Sequence, residues 1–188
     1  MNDYPEYAEI NGIEYKINTD YEVGLACFRA INDITISDTA RTLAVIGLLF
    51  DNEENENKPE IEDYEKALGI AKRYLTCDKE EETDSSKIDM DFEFDKDLIN
   101  ASFMSDYEID LDNKKMHWWR FFSLMCGLTD KCILNRVRDV RNFDETTIKD
   151  SKEKEKIIKA KERVKLPIRR SKEEQEAIDE FDALLGDD

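Results

Sequence analysis

Few side chains in this sequence have the types and spacing that catalysis requires. The only histidine, His117, precedes two tryptophans, and no serine or cysteine stands at a spacing that pairs it with a base. The sequence has no glycine-rich phosphate loop, no GxSxG motif and no HExxH motif. A lone histidine beside tryptophans is more typical of a hydrogen-bonded structural residue than of a general base. We therefore expect a protein that is not an enzyme and that uses no cofactor.

The acidic run from Asp89 to Asp95 is the stretch most similar to a metal-binding loop. Its carboxylates alternate as in the first half of an EF-hand. An EF-hand needs glycine at its sixth position and glutamate at its twelfth, whereas this sequence has Phe94 and Asn100 there. We therefore predict no calcium site.

The four cysteines lack CxxC spacing, which favours reduced, small hydrophobic residues over a zinc site or disulfides. They are Cys27, Cys77, Cys126 and Cys132.

The charge of the chain argues against nucleic acid as a partner. Its 188 residues carry a formal net charge of −18, and affinity for a phosphate backbone depends on Lys and Arg contacts.

No apolar run approaches the roughly 20 residues that span a bilayer, and the N-terminus lacks the features of a signal peptide. We expect no nucleic-acid partner, no membrane association and a location in the cytoplasm.

The charge is unevenly distributed along the chain. Residues 51–97 have a local net charge of −11, and residues 149–172 have a net charge of +7. Residues 173–188 then contain eight acidic side chains and no basic one. Such runs are usually solvated surfaces, but a segmented C-terminal extension could also engage a partner or the acidic body itself.

The sequence pattern of residues 1–77 predicts a small hairpin followed by helices. Asn11-Gly12 is typical of a two-residue hairpin turn, since both positions must adopt positive φ. Thr19-Asp20 can cap a first helix, and Asp38 or Thr39 a second. Pro59 favours the first turn of a third helix that ends near Thr76.

Residues 78–87 read as an acidic linker without apolar periodicity, followed by a second helical part over residues 88–143. There, a helix begins at Asp95 or Asp97 and ends at Tyr107. An aromatic helix follows, and Gly127 is expected to end it in the left-handed conformation. A further helix is predicted over residues 128–143, with three arginines pointing away from the core: Arg136, Arg138 and Arg141. The predicted fold class is mainly α, with a helical domain, an N-terminal β-hairpin and a charged helical C-terminal extension over residues 144–188.

Aromatic and leucine side chains provide the candidate partner-binding surface. Trp118 and Trp119 point about 100° apart on a helix, so one core-facing stripe cannot easily accept both. We expect core packing for most of the rings, with one tryptophan directed at a partner. At the C-terminus, an apolar helical face is too short to be stable alone and should dock in a groove of another copy or of a client. The predicted partner-binding residues are Trp118, Trp119, Phe122, Phe181, Leu184 and Leu185.

Four segments follow one another in the second part of the chain: an acidic residue leading LINASF, then SDYEIDL, then MHWWRFFSLMCGL, then RVRDVR. This combination resembles the gene-product-fifteen family of tailed phages and prophages of Gram-positive bacteria. The order of the rare tryptophans and histidine after SDYEIDL carries most of the specificity. The resemblance covers about residues 15–145 and does not include the charged C-terminal extension.

The resemblance implies a protein encoded between the major tail protein and the tape measure, the position of tail assembly chaperones. Such chaperones coat the tape measure and keep it soluble until tube subunits polymerise around it. We therefore expect a self-associating chaperone of the tape measure protein that acts in the host cytoplasm. The alternatives are a structural virion protein of the tail or head–tail joint, and a host-directed adaptor whose acidic C-terminal extension mimics nucleic acid.

Overall fold

The computed structural model describes residues 4–55, 58–79 and 88–168, and this part of the chain is mainly helical. It contains two strands and seven α helices, with short 3₁₀ turns before α3, before α5 and before α7. The elements are β1 (Tyr7–Ile10), β2 (Ile13–Lys16), α1 (Tyr21–Ile31), α2 (Asp38–Phe50), α3 (Tyr64–Leu75), α4 (Lys96–Tyr107), α5 (Trp118–Cys126), α6 (Ile133–Asn142) and α7 (Ser151–Val164). The predicted fold class is confirmed.

The N-terminal hairpin forms at the predicted turn. β1 and β2 pair antiparallel, with Tyr7 opposite Lys16 and Ile10 opposite Ile13. Asn11 has φ 52° and Gly12 has φ 81°, as a primed two-residue turn requires.

The next three helices begin at one predicted N-terminal boundary and at two that differ from the prediction. Asp20 caps α1 by accepting a hydrogen bond from the Glu22 amide, as predicted. The cap of α2 is Ser37, one residue earlier than predicted, because its hydroxyl reaches the Ala40 amide at 3.2 Å. Pro59 lies outside α3, since the chain is extended at residue 60 and then forms a 3₁₀ turn. The predicted end of α3 near residue 76 is confirmed.

The glycine after α5 has a different role from the one predicted. Gly127 does end α5, but with φ −93° rather than in the left-handed region. A Cβ there would lie 3.0 Å from the Tyr107 hydroxyl oxygen, which would have to shift by a few tenths of an ångström to accept it. Helix α6 begins at Ile133 rather than near residue 128, because Cys132 caps it by accepting from the Asn135 amide, which lies 3.4 Å from Sγ.

One hydrophobic core joins the parts of the chain on either side of residues 80–87, which lie outside the described residues. Helix α1 packs on α2 and α5, α2 packs on α3, and α4 packs on α6. The largest buried side chains come from both parts: Trp118, Phe50, Phe103 and Phe121.

Helix α7 packs mainly against α6 and presents its charged side chains to solvent. None of its residues is fully buried, in agreement with the predicted charged helix. Across the described ranges, no helix combines the length and apolarity that crossing a bilayer demands.

Candidate functional site

A groove between α1 and α4 is the clearest candidate site in the described structure. Its cavity measures about 490 Å³. Leu25 and Phe28 form one wall, and Phe92 and Phe121 extend the apolar lining. We call this cavity the α1–α4 groove. Its mixed apolar and polar lining suits a partner with an amphipathic face.

Charged side chains of both signs surround the apolar lining. Arg29 on α1 pairs with Glu93 at 3.3 Å, and Lys96 on α4 lies 3.9 Å from Asp112. These pairs are exposed, so their contribution to stability is small, but they can exchange for pairs with a ligand. Glu22 adds a further carboxylate to the same lining. The groove therefore combines an apolar floor with an adaptable polar rim, as expected of a protein-binding groove.

A second cavity of about 470 Å³ continues the groove at one end. The two cavities share part of their lining, including Arg29 and Glu93. The second one adds Ile34, Phe94 and Pro167, and we call it the outer hollow. Ile34 and Phe94 are 38 % and 52 % exposed, so the apolar surface extends beyond the α1–α4 groove.

Trp118 lies inside the core and supports the groove from below. It has no exposed surface, and its Nε1 donates to the Leu75 carbonyl oxygen at 3.1 Å. The indole packs directly on the backbone of Gly24, on the buried side of α1. We predicted that Trp118 binds a partner; the structure instead makes it a core residue, because the close approach of α1 covers the ring.

Trp119 and Phe122 are only partly buried and lie away from the α1–α4 groove. Trp119 Nε1 donates to the Tyr74 carbonyl oxygen at 2.9 Å, so the ring is fixed against α3. The Lys79 ammonium lies 5.2 Å from the centre of the Phe122 ring. Both rings keep some exposed surface, and their predicted contact with a partner stays a prediction. Phe181, Leu184 and Leu185 lie outside the described residues.

Comparison with known proteins agrees with the resemblance drawn from the sequence. The family model described as bacteriophage Gp15 protein matches residues 1–166. The chain belongs to the Gp15 family. No curated protein and no solved structure gave a match. Membership of the Gp15 family supports a phage structural or tail-related protein.

In this Gp15 family member, His117 has a structural role. Its Nδ1 accepts from the Trp119 amide at 3.0 Å and so caps α5, and its Nε2 lies 3.2 Å from the Pro5 carbonyl oxygen. Burial lowers the pKa of His117 below 6.5, against an opposing effect of the hydrogen bond to Pro5. A neutral imidazole with a proton on Nε2 satisfies both contacts. The contacts of His117 therefore agree with the prediction of a hydrogen-bonded structural residue.

The acidic run from Asp89 to Asp95 serves internal contacts. Asp95 pairs with Arg141, and Asp89 accepts from Arg138 at 3.1 Å. The Asp91 carboxylate accepts from two backbone amides of the following turn, at 2.9 Å each. Within the described ranges, no cluster of side chains is suited to a metal ion, and all four cysteines are free. The groove lining contains neither histidine nor cysteine nor serine in this part of the chain.

The groove was not predicted from the sequence of this Gp15 protein. Its walls come from residues 21–32 and 91–100, which are far apart in the chain. Leu25 and Phe28 were identified only as members of a periodic apolar face. Both side chains are only partly buried, and this exposure would have identified the groove. The sequence does not reveal it, because the exposure depends on how segments far apart in the chain pack.

Proposed function

We propose that this Gp15 protein is a tail assembly chaperone that binds the tape measure protein and keeps it soluble while the tail is built. In this proposal it acts without catalysis, in the host cytoplasm, and without nucleic acid or membrane as a partner. Membership of a phage protein family supports the general setting. The observation that carries the specific proposal is the α1–α4 groove.

The dimensions of the groove suit a short helical segment of an elongated client. Helix α1 has 11 residues and is therefore about 16 Å long, which corresponds to about three turns of a bound helix. A client helix could place apolar side chains against Leu25, Phe28 and Phe92 and direct its polar side chains to the rim. The groove would then cover the apolar face of the bound client segment and keep it from aggregating.

The net charge supports the solubilising part of the proposal. A charge of −18 on 188 residues keeps copies of the protein apart and favours solubility of a complex. Repeated binding of copies along a long client would add this charge at regular intervals. Multivalent binding would also allow a weak single site to give a stable coat.

Co-expression with the tape measure protein tests the proposal. The groove variant is Leu25→Glu, and its matched control is Leu43→Glu, at a leucine that is 46 % exposed on α2 and outside the groove. We expect the wild type and Leu43→Glu to keep the tape measure in the supernatant and to co-purify with it. Leu25→Glu should lose most of that recovery while keeping a helical circular dichroism spectrum.

Two results would contradict the proposal. One is equal recovery of the tape measure with the Leu25→Glu and wild-type proteins. The other is stoichiometric presence of the protein in purified virions, measured by quantitative mass spectrometry, which would identify a structural virion protein instead. A chaperone should be abundant in assembling lysates and absent from finished particles.

A further inference from the structure

The charged side chains that line the α1–α4 groove carry a net negative charge. Two basic groups belong to the lining, on Arg29 and Lys96. They face four carboxylates, which gives a net charge of −2, on Glu22, Asp91, Glu93 and Asp112. The outer hollow adds the carboxylate of Asp33 to this lining. Each base already lies beside a carboxylate, at 3.3 Å for Arg29 and 3.9 Å for Lys96. The groove therefore favours a positively charged partner.

The carboxylates are placed at both ends of α1. Glu22 lies in the first turn of this helix, and Arg29 lies in its last turn. The Arg29 guanidinium brings the Glu93 carboxylate to that second end, at 3.3 Å. Positions 22 and 29 are about 10 Å apart along a helix, which is about two turns. A partner with two basic side chains at that separation could reach both ends.

The phenol of Tyr21 reports the negative charge at the first end. Its hydroxyl donates to the Leu111 carbonyl oxygen at 2.8 Å, which brings the chain next to Asp112 to the start of α1. Burial raises the pKa of Tyr21 to about 12, and nearby carboxylates add to the rise. These carboxylates belong to Glu22, Asp20, Asp112 and Asp110. The same groups would attract a cation placed at this end of the groove.

The apolar part of the lining includes positions between these two ends. Leu25, Phe28 and Phe92 are partly buried, and the rings of Phe28 and Phe92 meet edge to face with centres 5.1 Å apart. The walls are mainly helical, and the backbone groups of a helix bond within the helix. An extended strand would therefore find few backbone partners. A helix satisfies its own backbone and can lay an apolar face on this lining.

We propose that the α1–α4 groove binds a basic amphipathic helix, with its apolar face on Leu25, Phe28 and Phe92 and with Lys or Arg side chains about two turns apart beside Glu22 and Glu93. That this helix is a segment of the tape measure client rests on the proposed function. The occupant is thus defined by chemistry: an apolar stripe at helical spacing, flanked by positive charge. The net charge of −18 on the chain attracts such a segment over longer distances.

Fluorescence anisotropy with three labelled peptides tests the charge and the pattern of the occupant. Each peptide has about 18 residues, because shorter helices are marginal in water. The first has Leu at helical spacing and Lys elsewhere, the second has Glu in place of every Lys, and the third is a scrambled form of the first. We expect the wild-type protein to bind the first peptide at least about tenfold more tightly than either of the others.

Two outcomes of the peptide experiment would overturn the proposal. Equal dissociation constants for the Lys and Glu peptides would exclude a basic occupant. Equal constants for the ordered and the scrambled Lys peptides would show attraction by net charge alone, without an amphipathic face in the groove.

A charge reversal in the groove tests where the Lys peptide binds. The variant is Glu22→Lys, and the matched control is Glu65→Lys, on α3 and outside the groove lining. Both glutamates are exposed and lie in the first turn of a helix, so net charge and helix dipole change equally. At physiological salt, where screening acts over about 8 Å, Glu22→Lys should weaken binding about fivefold and Glu65→Lys less than about twofold. Equal weakening would place the peptide elsewhere and overturn the proposal.

Sedimentation velocity without any peptide tests a second copy as the occupant. Helix α7 has more basic than acidic side chains and is largely exposed, so α7 of another copy is the competing ligand. We expect Glu22→Lys and Glu65→Lys to sediment like the wild type. Association that is lost only in Glu22→Lys would show a second copy in the groove and overturn the proposal.

None of these experiments contains the tape measure protein, so their failure is distinct from a failure of the proposed function. Loss of preference for the Lys peptide, with the tape measure still recovered by co-expression, would overturn this occupant alone. Tight binding of the Lys peptide in the groove, without recovery of the tape measure, would support the occupant and count against the chaperone.

Discussion

Asp95 and Arg141 form a buried two-point ion pair that joins the start of α4 to α6. Both oxygen–nitrogen distances are 2.7 Å, and the two side chains are 0 % and 7 % exposed. Arg141 was expected to point away from the core, and that prediction is wrong. The guanidinium turns inward because it neutralises the buried carboxylate and binds two backbone carbonyls.

Breaking this ion pair should destabilise the fold strongly. Asp95→Asn or Arg141→Met should lower the free energy of unfolding by about 3–5 kcal/mol, because either change leaves a buried charge without its partner. Arg138→Met is the matched control, since Arg138 is 40 % exposed in its pair with Asp89. That variant should lose no more than about 1 kcal/mol. Urea denaturation measures both, and equal losses would contradict a special role for the buried pair.

Two glycine substitutions should change stability in opposite directions. A Cβ at Gly24 would overlap the Trp118 indole, so Gly24→Ala should destabilise the protein by about 1–3 kcal/mol or more through overpacking. Gly69 is exposed within α3, and a Cβ there meets nothing within 4 Å. Gly69→Ala should therefore stabilise by about 0.5–1 kcal/mol through helix propensity. Thermal unfolding compares the variants, and a stable Gly24→Ala protein would disprove the close approach.

The two adjacent tryptophans should differ when replaced by alanine. Trp118→Ala should cost about 3–5 kcal/mol of stability, because the ring is fully buried. Trp119→Ala should cost less, since its ring is only partly buried, and should mainly weaken association with a partner. Denaturation and analytical ultracentrifugation separate the two effects. Equal losses of stability with unchanged association of the folded fraction would refute the distinction.

His117 should make stability depend on pH. Burial lowers the pKa of His117 in the folded state below 6.5, so the unfolded chain binds a proton first as the pH falls. The contribution of His117 is therefore present at neutral pH and decreases from about pH 6.5 down to its folded-state value. Asn can still cap α5 but does not titrate.

The His117→Asn variant isolates this contribution from the many carboxylates of the chain. The stability advantage of the wild type over His117→Asn should be largest above about pH 7 and should shrink as the pH is lowered. Urea denaturation at several pH values measures the difference. An advantage that stays constant, or that grows at low pH, would exclude a neutral buried imidazole.

The acidic linker over residues 78–87 should be a preferred site of proteolysis. It has no apolar periodicity, so cleavage or shortening there should remove little buried surface. Limited digestion with a Glu-specific protease, followed by mass spectrometry, should give first cuts within it. Early cuts between residues 100 and 128, with the linker intact, would contradict the division of the chain into two helical parts.

The sequence by itself determined the local features of this protein. The Asn11-Gly12 turn and the Asp20 cap depend on residues within one turn of one another, so their chemistry was readable without the fold. The structural role of His117 followed from its type and its neighbours. The aromatic motif was sufficient to indicate the Gp15 family, which the family match confirms.

Only the tertiary structure decided which side chains of each periodic face meet. Trp118 and Trp119 are adjacent in sequence, but the approach of Gly24 buries one ring completely and leaves the other at the surface. Arg141 is indistinguishable from Arg138 by local spacing, yet it reaches a carboxylate 46 residues away. The α1–α4 groove likewise is lined by residues 21–32 and 91–100, which come together only in the fold. Local propensity extends over a few residues, whereas these contacts depend on how the whole chain minimises exposed apolar surface and unpaired buried charge.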